Sequence, residues 1–143
     1  MHRTTDYKFS YAKMLAMKGN TAPYMLYVVA RINGIYRKGA EGGGDAAGGP
    51  KEFDFGEDAE ITLARHLIKL SAMLKSVVER NEPNRICDYI FELGNCFNSF
   101  YERCPVNSVQ GELRASRLAM LKITLEVMKS CMGLLGMETV NKL

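Results

Sequence analysis

A chain of 143 residues with 47% hydrophobic and 24% charged content has the makeup of one ordinary globular domain, long enough to bury most of the surface its unfolded chain exposes. No apolar run approaches the ~20 residues a bilayer crossing takes, and the opening MHRTTDYK has no apolar signal region, so neither a membrane span nor export is predicted. The net charge of +3 is uneven: residues 1–38 hold seven Lys/Arg against one acid, residues 39–82 five against nine, and residues 83–143 seven against six.

The basic N-terminal third suits a polyanion, and it equally suits a plain solvated surface. The abrupt Met1-His2 start reads as a domain cut from a longer chain. Ser10 and Gly19-Asn20 bracket a short helix over residues 10–17. Thr21 and Pro23 then mark a helix start, and the pattern continues to about Lys38. At ~100° per residue, Met25, Val28, Val29, Ile32 and Tyr36 gather on one apolar stripe. Tyr24, Tyr27, Arg31 and Lys38 fall elsewhere, with Tyr27 almost opposite that stripe. Aromatic rings on a second face imply a second packing partner or a ligand.

The stretch GAEGGGDAAGGP (39–50) is too rich in glycine to hold a helix or pack a core, and predicts a flexible surface loop. It lacks the Gly-Lys-Ser/Thr ending of a phosphate-binding loop. Residues 57–81 begin with acids suited to a helix N-terminus. Their apolar phase shifts near Ser71, which predicts two short helices rather than one. Pro83 opens and Pro105 closes a strong helix whose core face is Ile86, Tyr89, Ile90, Leu93, Phe97 and Phe100. Gly94 and Asn98 flank Tyr101 on the adjacent strip. The last helix, about Glu112 to Leu135, is apolar around most of its circumference and belongs in the middle of a bundle. Arg114 and Arg117 near its start call for a carboxylate or phosphate, an acid of the same chain being the simpler partner. Gly133 and Gly136 are expected to loosen its end. Cys87, Cys96, Cys104 and Cys131 lack paired metal-ligand spacing and His66 stands apart, so the thiols read as small buried apolar groups of a cytosolic protein. With no strand pattern, the fold class is all-α, a bundle of about five helices in one domain (1–143).

Four segments in order, DYKFSYAKML, GNTAPYMLYVVARI, PNRICDYIFELGNCFNSFYERCPV and LRASRLAMLKITLEVMKSCMGLLGMETVNKL, resemble the C-terminal DALR-type anticodon-binding domain of arginyl-tRNA synthetases in its eukaryotic-type version. The resemblance covers nearly the whole chain outside the glycine-rich loop. It implies the helical bundle shared by related class I synthetases, an arginine-accepting tRNA as partner, a cytoplasmic setting, and a catalytic body upstream of Met1 that binds ATP and arginine. No segment here is similar to the His-Ile-Gly-His or Lys-Met-Ser-Lys-Ser signatures of that body. The chain alone is therefore expected to need no cofactor and to catalyse nothing.

By position, the resemblance places RNA contacts at Tyr24, Tyr27 and Arg31, at Asn98 and Tyr101 of the Phe97-Asn98-x-x-Tyr101 segment, and at the tail residues Lys142 and Leu143. Many relatives end in methionine where this chain has Leu143. Unpaired bases stack on aromatic rings while basic groups hold phosphates. Tyr24, at the edge of the apolar stripe, suits burial as well as base contact, and Tyr101 suits both equally; Tyr27 favours contact. Phe97 suits the core, and Arg31 also has acids within residues 52–60 as alternative partners. The runner-up reading is a helical protein-interaction module that docks through the Tyr24/Tyr27 face, because aromatics and arginine enrich protein interfaces as well.

Overall fold

A computed structural model describes residues 8–41 and 50–140, and all of its regular structure among those residues is helical. The order is α1 (Tyr11–Met14), α2 (Ala22–Glu41), α3 (Asp58–Ile68), α4 (Leu70–Arg80), α5 (Asn84–Arg103) and α6 (Gly111–Leu134). The fold is thus five substantial helices preceded by a single turn. Of the loop expected at 39–50, residues 39–41 continue α2 instead, while residues 42–49 and the tail residues Lys142 and Leu143 lie outside the described residues.

Thr21 starts α2 as anticipated. Its hydroxyl accepts a hydrogen bond from the Tyr24 N–H at 3.3 Å and donates to the Ala16 carbonyl at 2.6 Å, tying the helix start to the α1 turn. The helix runs three residues past Lys38, because Gly39 is not a breaker here. It is buried, its carbonyl accepts from Arg114 Nη2 at 3.5 Å, and an added Cβ would sit 3.2 Å from both Arg114 Nη2 and Asn107 Oδ1. The break between α3 and α4 falls at Lys69, two residues before Ser71.

Of the expected apolar stripe of α2, Met25, Val28, Val29 and Ile32 are fully in the core, joined there by Ile35, which the stripe did not include, all 3% exposed or less. Tyr36 is half-buried and donates its hydroxyl to the Leu118 carbonyl at 2.6 Å. Every expected core residue of α5 is buried, and α5 packs against α2, α3, α4 and α6. The middle of the bundle is therefore shared by α5 and α6, the latter burying ten residues. The end of α6 is closed rather than loosened. Gly136 takes φ 72°, and the Met137 N–H donates to the Met132 carbonyl at 2.9 Å, the hydrogen bond of a left-handed glycine stop.

One charged pair is enclosed by this packing. Arg117 Nε donates to Glu60 Oε1 at 2.6 Å, with side-chain exposures of 6% and 0%. The second Glu60 oxygen accepts the Glu57 N–H at 2.9 Å, and Arg117 Nη1 donates to the Pro105 carbonyl at 2.7 Å. The arginine near the start of α6 does have an acid of its own chain. Beside the pair, burial pushes the Cys104 thiol up to about 11, Glu60 adding to the shift.

Candidate nucleic-acid interface

Five of the seven sequence-predicted site residues come together where the N-terminal half of α2 crosses the C-terminal half of α5. The close approach depends on Gly94: a Cβ there would meet Tyr24 Cε1 at 3.2 Å and Val28 Cγ2 at 3.3 Å. The Tyr24 ring fills the space that glycine leaves, edge-on to Phe91 with centroids 5.7 Å apart, and is only 9% exposed. Its hydroxyl accepts from Asn98 Nδ2 at 2.9 Å and donates to Asn95 Oδ1 at 3.1 Å. Burial raises the pKa of this phenol, against the lowering pull of the Asn98 hydrogen bond and of Arg31, so at neutral pH it keeps the proton it donates.

Asn98 passes the support outward. Its Oδ1 accepts from Arg31 Nη1 at 2.9 Å. The Arg31 guanidinium lies over the Tyr101 ring, with Cζ 4.6 Å from the centroid, and 5.9 Å from the centroid of Tyr27. Both distances are within the ~6 Å over which a cation feels an aromatic face. Tyr101 in turn rests beside the buried Phe97, centroids 6.1 Å apart. Among the described residues, no carboxylate forms an ion pair with Arg31, and the anticipated acids of residues 52–60 are engaged elsewhere or turned to solvent.

The exposures sort the five. Tyr24 is buried; Arg31, Asn98 and Tyr101 are half-buried; Tyr27 is 38% exposed, the one aromatic ring among the described residues of α2 that is open to solvent. What results is an outward-facing strip of ring, cation and ring, braced from below by two amides and a phenol. Such a strip can stack flat unsaturated groups and hold an anion beside them. In the same basic N-terminal third of the chain, Lys8, Lys13, Lys18, Arg37 and Lys38 are all exposed.

Sequence reasoning did not single out Asn95 or the Tyr24–Phe91 contact. Asn95 is an exposed polar residue on a helix, without periodic signal, and gains a partner only through the helix crossing. Gly94 in the interior of a helix was the available clue, since a helix tolerates that cost of roughly 1 kcal/mol where something packs against the bare backbone.

Known proteins resemble this chain throughout. A family model described as the DALR anticodon binding domain matches residues 25–143. The arginine–tRNA ligase of Synechococcus sp. (strain CC9311) is 44% identical over 142 residues, which are 99% of this chain and 23% of that protein. The arginine–tRNA ligase of Cyanothece sp. is 42% identical over 142 residues, again 99% of this chain and 24% of that protein. The crystal structure of arginyl-tRNA synthetase from Plasmodium falciparum superposes with a TM-score of 0.89 at 34% identity, covering 100% of this chain and 25% of that one. The Thermus thermophilus arginyl-tRNA synthetase superposes at 0.80 with 24% identity over 94% of this chain and 23% of its own, a likeness that speaks for the fold. The chain spans about a quarter of the length of these relatives.

Proposed function

The chain belongs to the DALR anticodon-binding domain family of arginine–tRNA ligases, and from that premise we propose that it receives the anticodon loop of an arginine-accepting tRNA on the Tyr27–Arg31–Tyr101 strip. The observation that carries this is the placement of Arg31: a cation held between two aromatic rings by a neutral amide, with no carboxylate of the described residues paired to it. Unpaired bases stack on Tyr27 and Tyr101, and the guanidinium meets a phosphate or a base edge. Asn98 spends one donor and one acceptor within the protein and keeps one of each for the RNA. The family resemblance adds Lys142 and Leu143 of the C-terminal tail as further RNA contacts.

In this reading the arginylation chemistry, with its ATP and arginine, belongs to a catalytic body supplied by the remaining three-quarters of the relatives' length. This chain contributes recognition. A cytoplasmic setting suits four free cysteines. Among the described residues no helix is long and apolar enough to cross a membrane.

Titration of the chain with an arginine anticodon stem-loop and a non-cognate stem-loop, each at two salt concentrations, tests the proposal. Tighter binding of the cognate loop, weakening steeply as salt rises, is the expected result, because displaced counterions belong to polyanion binding. Equal affinity for both loops, or none for either, overturns it.

A further inference from the structure

The hydrogen bonds beneath Arg31 form a directed chain, and the cation forces the direction. A guanidinium donates and never accepts, so the Asn98 atom facing Arg31 Nη1 is the amide oxygen. Asn98 then turns Nδ2 toward the Tyr24 hydroxyl, whose oxygen accepts that bond. The one proton of the hydroxyl leaves in another direction, to Asn95 Oδ1 at 3.1 Å. We infer that Asn95 and the Tyr24 hydroxyl are positioning groups, which fix the Asn98 amide in the orientation that holds the Arg31 guanidinium over the Tyr101 ring.

The alternative orientation shows why a terminal acceptor matters. Were the Tyr24 hydroxyl to donate to Asn98, the amide would turn round and set Nδ2 against Arg31, donor against donor. By taking the hydroxyl proton, the Asn95 carbonyl removes that alternative. Tyr24 thereby serves the site while its ring lies buried against Phe91 and Gly94, reaching the RNA only through Asn98 and Arg31. The inference deepens the RNA-binding proposal and rests on it for its binding arm alone.

Two variants of the chain, Tyr24→Phe and Asn95→Leu, test it in two ways. In the free protein, the Arg31 side-chain N–H resonances, shifted by the Tyr101 ring current, are expected to move toward those of a solvent-exposed arginine in Tyr24→Phe and to a smaller extent in Asn95→Leu. In binding, Tyr24→Phe is expected to lower affinity for the arginine anticodon stem-loop by about three- to tenfold, the range for loss of one hydrogen bond. The same change should cost nothing when Arg31 is already alanine. A purely structural hydroxyl would cost the same in both backgrounds, and that result overturns the inference. So do Arg31 resonances unmoved in both variants. Asn95 is exposed, so Asn95→Leu keeps the measurement readable even where Tyr24→Phe loosens the helix crossing. If the unmodified chain binds no stem-loop, the RNA proposal falls and the resonances still decide the positioning.

Discussion

Arg117 and Arg31 both reach from one helix toward another, and their surroundings are opposite. Arg117 is enclosed, its charge cancelled by Glu60 at 2.6 Å while its Nη1 donates to the Pro105 carbonyl. Arg31 is half-exposed, held by a neutral amide and the faces of two rings. A buried cation without a carboxylate would carry a large desolvation cost, so the fold cancels the charge where water is excluded. At the surface that cost is small, and ring faces orient the guanidinium without neutralising it. An arginine treated in the first way holds helices together; one treated in the second keeps its charge for an outside anion.

Breaking the enclosed pair gives the largest effect. Glu60→Gln leaves Arg117 a buried cation facing an amide, and is expected to cost about 3–5 kcal/mol in urea unfolding. The equivalent removal at the open site, Arg31→Ala, is expected to cost less than about 1 kcal/mol of stability, the scale of a partly exposed cation–π contact. A similar loss from both variants would erase the distinction between the two arginines.

The rings sharpen it next. Ile32→Ala, at a fully buried position of α2, is expected to cost about 2–5 kcal/mol of stability. Tyr27→Ala, on the exposed side of the same helix, should leave the melting temperature nearly unchanged and weaken stem-loop binding by roughly tenfold, within the ~1–3 kcal/mol that stacking one base is worth. Calorimetry and binding titration on the two variants read the two faces separately. Unfolding of Tyr27→Ala at the level of Ile32→Ala would make its ring part of the core.

Salt dependence separates charge from stacking. If Arg31 meets one phosphate, Arg31→Ala should flatten the slope of log affinity against log salt by about 0.7, the single-strand value per contact. Tyr27→Ala should weaken binding without changing that slope.

How far the sequence revealed these regions depended on whether a partner lay close along the chain. Helix α5 was readable to within a residue, since Pro83 and Pro105 bound it and its apolar period is unbroken. The tyrosine, arginine and asparagine positions of the open site followed from family resemblance, and periodicity alone placed Tyr27 away from the core. Glu60 looked like an acid placed for a helix N-terminus; its burial depends on Arg117, 57 positions away, and only the demand of that arginine for an acid hinted at it. Gly39 read as a breaker because the groups that receive it, Arg114 and Asn107, lie beyond α5. Asn95 gave no signal, because what distinguishes it is a hydroxyl brought from another helix.

The smallest expected effect concerns the outermost atom of the open site. Among the described residues the Tyr27 hydroxyl makes no hydrogen bond, whereas that of Tyr24 makes two. Removing it leaves nothing inside the protein unsatisfied. A phenyl ring stacks on a base about as well as a phenol ring, and its face still attracts the neighbouring guanidinium. Tyr27→Phe is therefore expected to change stem-loop affinity by less than about threefold and to leave stability unchanged, while Tyr24→Phe, the same chemical change three residues away, shifts both. Titration and thermal melting of the two variants side by side measure this. A tenfold loss for Tyr27→Phe would mean that its hydroxyl bonds to the RNA, so that Tyr27 reads a base edge as well as stacking, and the open site would then discriminate among bases with a group the protein itself leaves unused.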